Sequence, residues 1–177
     1  MKITTRQLAL CAVLTALALG LSTLENLFPV TLVIPLPGVK LGLANIVTVF
    51  ALYQLGPLPA LCILAARCLL GSLFAGNASA LLFSLLGGTL AMLVMLALSR
   101  LPGLSVYGVS IGGAAAHNIG QMAAALITLG NTAVLGYLPF LLAVSLFTGA
   151  LTGFVSALLL RAMSHVKLSH GRSADNG

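Results

Sequence analysis

Carboxylates are almost missing from this chain: Glu25 and Asp175 are the only acidic residues among 177. That scarcity excludes a site built from several carboxylates around a hard divalent cation, since Mg²⁺ and Ca²⁺ need oxygen ligands in number. Charge of either sign is rare, at 6% of residues against roughly 25% in soluble domains, which excludes an ordinary water-soluble fold. Cysteine is scarce as well. Cys11, Cys62 and Cys68 lie in apolar runs at spacings that match no metal motif, and their odd number argues against a disulfide framework. They are expected to be small buried apolar residues. No phosphate-binding G-x-x-x-x-G-K-[ST] loop occurs, so ATP hydrolysis would have to come from another polypeptide. No basic patch interleaved with aromatics occurs either, so nucleic acid is not an expected partner.

What fills the space is hydrocarbon, with 60% hydrophobic residues and a mean hydropathy of +1.17. Charge-free runs cover 7–24, 41–66, 68–99 and 101–160, each at or near the ~20 apolar residues that span a bilayer, and two of them long enough to be divided. The fold class this implies is all-α, a polytopic membrane protein: one integral domain over 1–165, then a polar tail over 166–177. Punctuation by Gly, Pro and Asn predicts six helices, at about 6–26, 42–56, 58–74, 78–99, 105–129 and 137–161. The second is short, since ~14 residues reach only about 21 Å.

Lys2 and Arg6 ahead of the run Leu8 to Leu19 also resemble a signal peptide, with Ala16-Leu17-Ala18 as its cleavage site. The run continues to Leu24 and the remainder is polytopic, which favours an uncleaved first helix. With six helices and both termini cytoplasmic, Lys2, Arg6, Arg100, Arg161, Lys167 and Arg172 all fall on the cytoplasmic side of a bacterial cytoplasmic membrane, and the basic pI of 9.8 reflects topology.

Small residues recur every fourth position at Gly108, Gly112, Ala116, Gly120 and Ala124, and again at Ser145, Gly149, Gly153 and Ala157. Such stripes let helix backbones approach closely in lipid. Ala12, Ala16 and Gly20 form a weaker stripe on the first helix. Two basic residues escape the cytoplasmic count. Lys40 lies in the loop after the first helix, and Arg67 lies near mid-membrane in the third, where an arginine costs at least ~2.5 kcal/mol and marks a functional site. His117, Asn118 and Gln121 share one face of the fifth helix: at ~100° per residue His117 and Gln121 are about 40° apart, and Asn118 about 100° from His117. Asn45 opens the second helix at comparable depth. Each has a plainer reading as well: interhelical hydrogen bonds for the three polar residues, pairing with Glu25 for Arg67, a loop position for Lys40. Their convergence in the outer half of the bundle points instead to a pocket for an anionic or strongly polarised ligand. Lys40, Asn45, Arg67, His117, Asn118 and Gln121 are the expected contacts, with no catalytic residue, metal or cofactor.

The segments "PGVKLGLANIV" at 37–47, "AARCLLGSLFAG" at 65–76 and "GAAAHNIGQ" at 113–121 resemble the Gx transporter family, whose members are often labelled heptaprenyl diphosphate synthase component I. That family is similar to the S components of energy-coupling factor transporters, six-helix membrane proteins that capture micronutrients outside the cell. The resemblance implies a small-molecule substrate, a transmembrane coupling subunit and two cytoplasmic ATPases as partners. It also implies that the alanine face of the first helix, Ala12 and Ala16, docks on the coupling subunit, and that the loop carrying Lys40 covers the site. The family label raises a rival, a membrane subunit attached to heptaprenyl diphosphate synthesis or to quinone and flavin electron export. Chain elongation itself needs aspartate-rich motifs to hold Mg²⁺ on the diphosphate, and the single aspartate here, Asp175, lies in the tail.

Overall fold

A computed structural model describes residues 5–27, 42–76 and 78–173. Within them the chain forms six α-helices: α1 (Thr5–Leu27), α2 (Leu43–Gln54), α3 (Pro57–Ala75), α4 (Ala78–Leu98), α5 (Val106–Leu129) and α6 (Leu138–Ser173), with a short 3₁₀ helix over Thr132–Tyr137 leading into α6. The described residues contain no strand. Helix ends fall where the chain changes its backbone options. Pro57 opens α3 at a position whose N–H needs no partner, and Gly76 and Gly130 close α3 and α5 in the left-handed conformation at φ 61°. Ser105 caps α5, its side chain accepting the Gly108 N–H at 3.4 Å. The sixth helix departs from expectation: it continues to Ser173 instead of ending near 161, so 166–173 of the polar tail is helical. Beyond Arg161 no proline occurs, and no glycine before Gly171, to interrupt it.

Four segments, Thr5–Glu25, Pro57–Ala75, Ala78–Leu98 and Thr132–Met163, are long and apolar enough to cross a membrane. α5 is as long but carries His117, Asn118 and Gln121. α2, at 12 residues, reaches only about 18 Å, well short of a ~30 Å hydrocarbon core. Packing explains its length. α2 touches α1, α3, α4 and α6, and Ala44 to Val49, Ala51 and Leu52 are all buried, so it is a central helix wrapped by longer neighbours.

Polarity runs inside out. Leu8, Val13, Leu73, Phe74, Leu93, Ile127 and Phe147 cover the exterior, while Thr48, Ser110, Ser145, Thr152 and Ser156 are buried. Lipid solvates the first group and cannot hydrogen-bond the second, so the hydroxyls pair within the bundle. Ser110 and Thr152 join α5 to α6 at 2.7 Å, and Ser156 Oγ donates to the Ile46 carbonyl of α2 at 3.4 Å.

The small-residue stripes have definite partners. A Cβ on Gly120 would strike the backbone of Leu86 and Gly87 on α4, and one on Gly149 would lie 2.6 Å from Ile111 Cα on α5. These close seats make α4–α5 and α5–α6 the two most extensive helix pairs. The cysteines fit the sequence expectation only at Cys68, which is buried; Cys11 is half-buried and Cys62 exposed. Cys62 lies exposed on α3 in the open groove against α1, where an apolar thiol is as acceptable to lipid as to a core.

Candidate functional site

Successive helices run antiparallel, so the start of α1, the ends of α2, α4 and α6 and the starts of α3 and α5 share one end of the bundle. The candidate site lies toward the other end. Ser22 and Glu25 of α1, Gly42, Ala44 and Asn45 at the start of α2, Arg67 of α3, Ser84 of α4, and His117 and Gln121 of α5 line one cavity of about 40 Å³. Among the described residues five helices contribute, and α6 does not.

Each polar group is placed by local structure. Arg67 sits midway along α3, partly buried, with its Nε fully out of reach of solvent. Its Nη2 donates to Asn45 Oδ1 at 3.3 Å, and Nε has no hydrogen-bond partner among the described residues. Asn45 is held by the turn that starts α2. Its N–H donates to the Gly42 carbonyl at 2.8 Å, and Gly42 takes φ 77° and lies close enough that a Cβ there would come within 3.3 Å of Asn45 Nδ2. A side chain at 42 would be strained by the backbone and would also crowd Asn45. The Gly42 N–H donates to Glu25 Oε1 at 2.6 Å, a charge-assisted bond at the positive start of α2 that ties α1 to α2. His117 and Gln121 are 8% and 4% exposed and reach the cavity past Gly87 of α4, the one residue type that leaves room for the imidazole.

Of the residues expected from sequence, Asn45, Arg67, His117 and Gln121 are brought together in this cavity. Asn118 is not. It is buried against α6, where its Nδ2 donates to the Leu141 carbonyl at 2.9 Å, because a rotation of about 100° from His117 turns a side chain from one neighbouring helix to the next. Lys40, and the covering role expected of its loop, lie outside the described residues. Ser22, Gly42 and Ser84 were missed as site residues, since serine and glycine carry no signal in a chain this rich in both. Glu25, expected only as a structural partner of Arg67, lines the same cavity.

Ala12 and Ala16 are both exposed and line an open groove of about 400 Å³ between α1 and α3. Leu8, Cys11, Leu19, Cys62 and Leu70 form its apolar walls. Among the described residues no three His, Cys, Asp or Glu side chains converge as metal ligands would.

No curated protein and no solved structure gives a match to this chain. A family model does: that of heptaprenyl diphosphate synthase component I matches residues 14–159, a span that contains every segment that carries the resemblance noted above and every residue of the cavity. This helical membrane protein therefore belongs to the heptaprenyl diphosphate synthase component I family.

Proposed function

We propose that this chain is the substrate-binding membrane subunit of an importer of the energy-coupling factor kind, capturing a small polar solute that carries an anionic group. The observation that carries the reading is Arg67. A guanidinium midway along a membrane helix costs at least ~2.5 kcal/mol to insert, and here it offers five donors while its buried Nε has no hydrogen-bond partner among the described residues. An anion placed beside it would take up those donors in a site too dry for salt to screen. Neutral groups of Asn45, Gln121 and Ser84 surround that position and would orient the rest of the solute. A cavity of about 40 Å³ holds only a few waters, so a solute of vitamin size would require the helices around it to part.

The test is to identify by mass spectrometry what the purified protein retains, then to titrate that compound against wild type, Arg67→Ala and Arg67→Lys. Removing a buried charged partner costs roughly 2–5 kcal/mol, so affinity in the alanine variant should fall more than tenfold. Lysine should restore little if the contact is a two-point fork. Unchanged affinity in both variants would refute an anion site at Arg67.

The family description favours a second reading, a membrane subunit that accompanies heptaprenyl diphosphate synthesis without performing it. Copurification separates the two. A transmembrane coupling subunit seated on the groove of Ala12 and Ala16, together with ATPases, would support the importer; a soluble, aspartate-rich prenyltransferase would support the accessory role.

A further inference from the structure

A second, larger cavity lies far from Arg67, at the end of the bundle where α1 begins and α2 finishes. It measures about 540 Å³ and is lined by Arg6, Gln7 and Leu10 of α1, Phe50, Gln54 and Leu55 at the end of α2, and Met163 of α6. Its chemistry is graded. Leu10, Phe50 and Leu55 make an apolar wall, and Arg6, Gln7 and Gln54 gather donors at the rim. The surrounding surface is of one sign: Arg6, Arg100 and Arg161 are the charged side chains described at this end, and Glu25, the only described acid, is at the other. The short α2 creates the space, since it stops at Gln54 while α1 and α6 run on beside it.

We propose that this three-helix cavity is a binding site for one anionic phospholipid, with its phosphate on Arg6 and the Gln54 amide and its acyl chains along Leu10, Phe50 and Leu55. Two properties select this occupant. The cavity opens at a helix-end level where headgroups lie, so the ligand must be charged at one end and apolar at the other. A basic pocket between transmembrane helices suits a phosphate headgroup, whereas a zwitterionic headgroup brings a cation that the arginines repel. A soluble anion would leave the apolar wall unfilled.

Native mass spectrometry of the full chain, after exchange into mixed micelles holding equal phosphatidylglycerol and phosphatidylcholine, tests the site. Wild type should retain one phosphatidylglycerol in preference to phosphatidylcholine. Arg6→Ala should lower that retention about fivefold, the ratio corresponding to the ~1 kcal/mol that one basic residue contributes near an anionic surface. Arg100→Ala, which removes an arginine from the same end but outside the cavity, should leave it unchanged. Thermal unfolding of each variant checks that the fold survives. Equal retention of the two lipids, equal loss in both arginine variants, or no loss in either would overturn the proposal, since each would mean that the cavity selects nothing beyond the general charge of that end.

Discussion

Replacing Gly87 by alanine should disturb the candidate site without changing its charge. A Cβ at 87 would lie 2.9 Å from His117 Cε1 and 3.0 Å from His117 Nδ1 and Gln121 Cγ, inside the ~3.5–4.0 Å of a good carbon contact. The helices cannot simply separate, because Gly120 of α5 rests on the backbone of Leu86 and Gly87 in the same seam. The imidazole and the glutamine must shift by several tenths of an ångström instead. Overpacking of this kind costs about 1–3 kcal/mol, and it falls on two groups that line the cavity. Gly88→Ala supplies the comparison: its Cβ would meet Leu64 Cδ1 at 2.7 Å, on the same helix and equally buried, but away from the cavity. Both variants should melt at lower temperature in detergent, and only Gly87→Ala should lose the retained solute. Equal solute retention in the two variants, whether high or low, would refute the argument that Gly87 exists to admit His117 to the site.

Two further outcomes are expected. Asn118→Leu should cost on the order of 0.6–1.7 kcal/mol, as for interhelical hydrogen bonds in lipid, with solute affinity unchanged; a loss of affinity would return Asn118 to the site. In a background lacking Cys11, Cys62 and Cys68, a cysteine at Asn131 should react in intact cells with an impermeant thiol reagent and one at Arg100 should not. The opposite labelling would invert the topology inferred from the basic residues.

Much of the fold could be read from the chain because its punctuation is physical. Gly56-Pro57, Gly76 and Gly130 stop helices for reasons local to the backbone, and the stripes through Gly120 and Gly149 declared close approach before their partners were known. What could not be read was rotation. His117 and Asn118 are adjacent and equally polar, yet one enters the cavity and the other bonds to α6, and only the placement of α4 and α6 around α5 decides between them. Placement was hidden in a similar way at α2. The sequence marked it as short, and the 12 residues found agree, but its burial among α1, α3, α4 and α6 depends on where those helices stand.

The plainer reading of Arg67, a structural partner of Glu25, gains weight from finding both in one cavity, and the two readings make different predictions for a double variant. A buried pair is weak evidence for stability: removing one partner strands the other, at about 3–5 kcal/mol, whereas replacing both by apolar residues is often neutral or stabilising. Glu25 also has a second duty, accepting the Gly42 N–H at 2.6 Å, which glutamine can retain through its carbonyl. Arg67→Met alone should therefore destabilise the bundle, and Arg67→Met with Glu25→Gln should recover most of that loss under either reading. Solute binding separates them. If Arg67 serves only Glu25, the double variant should bind as wild type does; if Arg67 holds the anionic group of the solute, the double variant should be as stable as wild type and still fail to bind. Thermal unfolding and solute titration on the four proteins of the cycle give both quantities. A stable double variant with undiminished affinity would remove Arg67 from the binding site and leave the cavity as an internal ion pair.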